Sequence, residues 1–297
     1  MVRSRSGGGR GCLSNGRIII ALVVAAFSVV SYLGSQAYNP VTGEDQYVAL
    51  SREQEIALGL QAAPEMTSQY GGLDPDEQAQ ALIDEVCERI LQSSDAGESD
   101  YPFECHLLDD EETINAFALP GGQVFITAAL FDRMETEGQL AGVLAHEIVH
   151  VVARHSAEQM AKAELSQGLT GAAVIATYDP DDPSTQRTAQ VAALISQVVN
   201  LKFGRDDELQ SDRLGVRYMA QAGYDPRSML DVMEVLAGAS EGQRPPEFFS
   251  THPNPENRME NIEEAIREEF PNGVPDDLQA QKPGLPQGVV VFLSPES

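Results

Sequence analysis

The run Leu140–Val151 is apolar or small except at three positions, His146, Glu147 and His150, and this feature constrains the fold most. Leu140, Val143, Leu144, Ile148 and Val151 recur at three- and four-residue spacing, which predicts one buried helix. Thr136 and Gln139 stand at capping-box spacing at its start. Ionisable side chains inside such a helix are costly unless something pairs with them. Residues 146–150 read His-Glu-Ile-Val-His, so the two imidazoles are offset by roughly 40° and about 6 Å and can reach one metal ion from the same face. Zn2+ suits imidazole ligands in a tetrahedral site with one place open for water. Glu147, on the same stretch, is placed to take a proton from that water, the general-base role in metal-assisted hydrolysis. His155, five residues past His150 in the same predicted helix, points away from the pair and reads as a structural or supporting residue.

A hydrolytic zinc site needs a third protein ligand from a separate element. The segment Asp206–Gly215 starts a predicted helix in which Glu208 and Asp212 are one turn apart. Glu208 can ligate while Asp212 accepts a hydrogen bond from the free N–H of a ligand histidine. Acids at a helix start also interact favourably with its dipole, and the residues alone leave both readings open.

Around these elements the pattern predicts an α+β fold, mainly helical. Ser51–Ala62 and Asp76–Gln92 have helical spacing, with turns at Tyr70-Gly71-Gly72 and Asp74-Pro75 between them. Phe103–Leu108, Ile114–Leu119 and Val124–Thr127 read as strands, the last two joined through Pro120-Gly121-Gly122 as a hairpin of a small antiparallel sheet. Further helices are expected at Gln186–Leu201, Asp206–Ala222, Pro226–Ala237 and Pro255–Phe270. Residues 271–297 hold five of the 17 prolines and read as an irregular tail, apart from the apolar run Val289–Leu293.

Charge divides the chain. Residues 1–37 carry Arg3, Arg5, Arg10 and Arg17 and no acid, whereas the remaining 260 residues hold 15 basic and 46 acidic side chains. So acidic a body excludes a nucleic-acid binder, which needs clustered Lys and Arg. Its charge reads as solvated surface; a divalent-ion-binding envelope protein is the alternative, but no EF-hand spacing is present. Behind the basic leader, Ile18–Leu33 is broken only by Ser28 and Ser31 and reads as a membrane-targeting segment. It is either a signal anchor through residues 18–34 or a signal peptide cut after Ser35-Gln36-Ala37. The first places the body at a membrane of the cell envelope, outside the cytoplasm; the second makes it periplasmic or secreted. Cys87 and Cys105 then form either a disulfide or two buried thiols. Residues 38–75 are expected as a helical lead-in and 76–270 as the main domain.

Four stretches together resemble a known family in its own order over about half of the chain. They are Asn115-Ala116-Phe117-Ala118-Leu119-Pro120-Gly121-Gly122, Leu140–His155, Glu208–Gly215 followed by Ala222-Gly223-Tyr224-Asp225-Pro226, and His252-Pro253 with Arg258. They resemble the gluzincin metallopeptidases that include HtpX, the prenyl-protein CAAX endoprotease, mitochondrial Oma and the periplasmic protease BepA. The resemblance implies a zincin-like catalytic domain over 76–270, one zinc held by His146, His150 and Glu208, Glu147 as base and Asp212 behind a ligand. It also implies that Asn115, Ala116 and Phe117 lie where a substrate backbone pairs as an added strand. His252 would approach the metal, either stabilising the oxyanion or capping the ion in a latent state. The implied activity is endoproteolysis of misfolded or unassembled envelope proteins; the alternative is a peptide-binding chaperone, zinc-latched, that does not cut. Further membrane spans and a C-terminal helical-repeat domain of some members are not seen here.

Overall fold

The computed structural model describes residues 11–177, 202–239, 246–253 and 257–278. The expected helix 186–201 and the apolar run 289–293 lie outside them. The chain divides into two units, Met1–Ser51 with Ala157–Gln197 and Arg52–Ser156 with Val198–Ser297.

The first unit begins with α1 (Gly11–Gly34). Ile18, Ile19, Ile20, Leu22, Val23, Phe27, Val30 and Leu33 on it are at least half exposed. Among the described residues no helix is long and apolar enough to cross a membrane. The 16 residues Ile18–Leu33 rise only ~24 Å against a hydrocarbon core of ~30 Å. After α1 come β1 (Gln36–Asn39) and β2 (Glu44–Tyr47), an antiparallel hairpin closed by Gly43 at positive φ. The lead-in therefore opens on a hairpin that periodicity did not reveal, its strands being only four residues each.

The second unit carries the buried core. α2 (Arg52–Gln69) is followed by α3 (Glu77–Ser93), whose N-terminal amides at Gln78 and Ala79 are accepted by the Asp76 carboxylate. Ala79, Ile83, Val86, Cys87 and Ile90 form its inner face, and Cys87 is bonded to Cys105 as a disulfide that ties α3 to the sheet. That sheet comprises β3 (Glu104–Leu108), β4 (Ala116–Ala118) and β5 (Gln123–Thr127) in the order β3-β5-β4. β4 and β5 form the expected antiparallel hairpin, but β3 runs parallel to β5, so the sheet is mixed rather than antiparallel. β5 is central and buried at all five positions, as a strand covered on both faces must be. The hairpin turn is fixed by a close approach: Gly121 has φ +90° and a Cβ there would lie 2.4 Å from Ile56 Cα.

The short α4 (Ala128–Phe131) leads into α5 (Glu137–Val152), capped reciprocally by Thr136 and Gln139 as the spacing predicts. All 16 residues of α5 are buried. α6 (His155–Thr177) follows after a break. Then come α7 (Arg205–Gln221), α8 (Ser228–Ala239), the single turn α9 (Phe248–Thr251) and α10 (Arg258–Glu269). α7 packs along α5, and α10 packs on α7, so two segments distant in sequence are stacked beside α5.

Candidate metal centre

On α5 the four-residue spacing sets His146 Nε2 3.1 Å from His150 Nε2. α7 contributes Glu208 from its first turn, where Asp207 accepts the Gly204 amide at 2.7 Å and anchors the helix start. Glu208 Oε2 lies 3.5 Å from His146 Nε2 and Oε1 3.5 Å from His150 Nε2. His252, at the end of α9, brings Nδ1 to 3.1 Å from Glu208 Oε1 and Nε2 to 3.5 Å from Glu147 Oε1. One donor atom from each of His146, His150, Glu208 and His252 lies within 4.8 Å of the other three, so these side chains form a metal-binding group. None is more than 3% exposed.

The donor set fits a divalent ion. Both oxygens of Glu147, Oε2 of Glu208 and Nε2 of His252 are buried without a hydrogen-bond partner. Buried polar atoms are nearly always paired, so this many together mark a site built for an ion and its water. Imidazole nitrogens with a carboxylate are the ligand types that zinc takes.

Behind the donors stands a second layer of charge. Asp212, one turn beyond Glu208, accepts from His146 Nδ1 at 2.9 Å, the contact expected of it. Arg258 grips the same carboxylate, Nε donating to Oδ2 at 2.8 Å and Nη2 to Oδ1 at 2.9 Å, while Nη1 sits 3.2 Å from Glu208 Oε2 as an ion pair. The sequence offered Arg258 only as part of the family resemblance, with no role; its guanidinium is 2% exposed at the heart of the cluster. Two rings were missed altogether: Phe203 stacks on His150 at 3.9 Å and Phe248 on His252 at 4.4 Å, closing both imidazoles from water.

These neighbours decide protonation in the metal-free chain. Burial opposes charge on His146, but Asp212 and Glu208 outweigh it and its pKa is pushed up to about 9. Burial, and then the charge on His146, hold His150 well below the usual imidazole range. Burial pushes the Glu147 carboxyl up, with His252 and His146 opposing. Burial pushes Glu208 and Asp212 the same way, but His252 and His146 beside the first and Arg258 beside the second hold both below the usual carboxylate range.

His155 departs from expectation. α5 ends at Val152, and Arg154 adopts φ +61°, a left-handed conformation that turns the chain so that His155 opens α6. Instead of pointing away, His155 then sets Nδ1 2.9 Å from His150 Nδ1. The cause is remote in sequence: the Arg154 guanidinium is held by buried Glu55 at 2.8 and 3.0 Å, and Tyr101 donates to the same carboxylate at 2.8 Å.

Asn115, Ala116 and Phe117 lie at or just before the outer strand β4, which packs against α5. All three are buried, Asn115 donating to Tyr70 Oη at 3.1 Å and Phe117 stacking on Phe125. Phe248 N–H donates to Ile114 O at 3.3 Å, so the segment that carries His252 is tied to the chain leading into that strand.

Comparison with known proteins agrees with this geometry. The chain is 30% identical over 250 residues to the Beta-barrel assembly-enhancing protease of Escherichia coli (strain K12), covering 81% of this chain and 50% of that protein. It is 32% identical over 244 residues to the Mitochondrial metalloendopeptidase OMA1 of Schizosaccharomyces pombe, covering 80% and 69% respectively. The chain thus spans about half the length of the first of these relatives. Residues 77–266 match Peptidase family M48, a span that contains the hairpin, α5, α7 and all four donors, and the chain belongs to that family.

Proposed function

We propose that this chain is a zinc-dependent metalloendopeptidase that hydrolyses peptide bonds of misfolded or unassembled envelope proteins. The observation that carries the reading is the convergence of His146, His150 and Glu208, from two helices, beside a Glu147 carboxylate whose oxygens have no hydrogen-bond partner. These three would hold the ion, which when bound polarises the scissile carbonyl and lowers the pKa of water. Glu147 takes the proton from the attacking water and returns it to the leaving amine; its burial keeps the carboxyl basic enough for both steps. Asp212, fixed by Arg258, orients His146. β4 offers its outer edge to an extended peptide, with Asn115, Ala116 and Phe117 setting the register.

His252 supports a second reading, the latched state. It is fully buried, lies among the donors and is covered by Phe248. As a fourth ligand it would cap the ion and make the protein hold clients without cutting them. Displaced by substrate, the same imidazole is placed to stabilise the oxyanion.

The exposed apolar residues of α1 support attachment to an envelope membrane through residues 18–34. Ala37 pairs with Gln46 inside the hairpin, so a signal-peptidase cut after it would divide β1; this favours the anchor over the cleaved signal.

The test is zinc content and cleavage of an unfolded protein by wild type and Glu147→Gln. Wild type is expected to hold one zinc per chain and to cut in a chelator-sensitive way; Glu147→Gln keeps the zinc and loses cleavage. Cleavage by that variant at the wild-type rate rejects the mechanism. His252→Ala is expected to cut faster if the latch dominates, and slower if oxyanion stabilisation does.

A further inference from the structure

His150 faces the donor cluster through Nε2, and its other ring nitrogen is occupied by a chain of two hydrogen bonds. Nδ1 of His150 lies 2.9 Å from Nδ1 of His155, and Nε2 of His155 lies 2.9 Å from Gln210 Oε1. Two ring nitrogens at that distance need one N–H and one bare nitrogen between them. An amide oxygen can only accept, so the hydrogen of a neutral His155 sits on Nε2 and its Nδ1 is bare. That bare nitrogen accepts the Nδ1–H of His150. The lone pair of His150 Nε2 then points at the cluster, where His146 Nε2 lies 3.1 Å away. The opposite sense would reverse both tautomers and place a hydrogen on His150 Nε2, where it would block an ion.

The two ligand histidines are therefore backed differently. His146 rests on a carboxylate, Asp212, itself neutralised by Arg258. His150 rests on the imidazole of His155 and, through it, on the amide of Gln210. Helix geometry separates the two supports. Glu208 and Asp212 share one face of α7, while Asp207, Gln210 and Ser211 share another, and Ser211 Oγ lies 3.4 Å from His155 Nδ1. His155 is 1% exposed, and its two ring nitrogens are met by one imidazole nitrogen and one amide oxygen.

We propose that His155 and Gln210 form an uncharged relay that locks His150 in its Nδ1–H tautomer and so presents Nε2 to the metal; they are positioning residues. This rests on the metal-binding reading of the cluster, and the test separates the two. The tautomer of His150 is read by 15N NMR of metal-free, histidine-labelled protein, and zinc affinity by chelator competition, for wild type, Gln210→Leu, Gln210→Lys and His155→Phe. Wild type should show His150 as Nδ1–H. Gln210→Leu removes the acceptor and should weaken zinc binding about 10-fold. Gln210→Lys, which can only donate, should weaken it further and raise the Nε2–H form, an ordering that loss of packing alone would not produce. Gln210 is only part-buried, so its variants keep the test valid if His155→Phe does not fold. Nε2–H as the main His150 tautomer in wild type, or zinc affinities of all three variants within twofold of wild type, overturns the relay. If wild type takes up no zinc, the metal-binding reading fails, while the tautomer of the metal-free protein still decides the relay.

Discussion

Replacing Arg258 by methionine keeps much of the side chain's bulk and removes the guanidinium buried between two acids. In the native chain it makes two hydrogen bonds to Asp212, at 2.8 and 2.9 Å, and an ion pair of 3.2 Å with Glu208. Removing one partner of a buried pair costs ~3–5 kcal/mol, because the charge left behind stays desolvated and uncompensated. Here His146 remains beside both acids and His252 beside Glu208, so the lower end, ~3 kcal/mol, applies. For a chain of this size that corresponds to ~6–12 °C in Tm. The assay is thermal and urea denaturation of chelator-treated wild type, Arg258→Met, Asp212→Leu and the double variant. If the pair acts as a unit, the double variant recovers part of the loss and the cycle shows a coupling of at least ~1 kcal/mol. Arg258→Met within ~0.5 kcal/mol of wild type, or additive effects of the two substitutions, would refute the account of a charge clamp.

Gly121→Ala is expected to destabilise by at least ~1 kcal/mol, since it combines a left-handed backbone with a Cβ 2.4 Å from Ile56 Cα; an unchanged urea midpoint would show that the turn relaxes freely. Asp110 has its pKa lowered: partial burial opposes this, but the amides of Thr113 and Glu112 that its carboxylate accepts outweigh it. Its folded pKa is below the unfolded one, so its contribution is present above ~4 and is lost as pH falls through the folded value. Asp110→Ala should therefore cost ~1 kcal/mol at pH 7 and progressively less below pH ~4, followed by urea denaturation at each pH; a gap that widens on acidification contradicts the sign.

Much of the site was legible because it is local. The His-Glu-Ile-Val-His spacing, the apolar run around it and the Thr136–Gln139 cap all lie within 17 residues, and helical periodicity alone orients them. Glu208 and Asp212 were visible as a one-turn pair, but an acidic helix start has two explanations, and only packing of α7 on α5 brings them to the imidazoles. Arg258 had no legible role because its partner Asp212 is 46 residues away, and nothing in its own neighbourhood marks it as buried.

By itself the sequence determined α2, α3, α5, α7, α8 and α10, the hairpin turn and which face of α5 bears the chemistry, since periodicity, capping and glycine turns act over a few residues. Tertiary structure alone decided that β3 joins the sheet in parallel, because strand pairing across an intervening crossover leaves no local trace. It also decided where His155 points. That rests on one left-handed residue, Arg154, held by Glu55 from 99 positions away, and no spacing rule read along a helix anticipates a break imposed by a distant carboxylate.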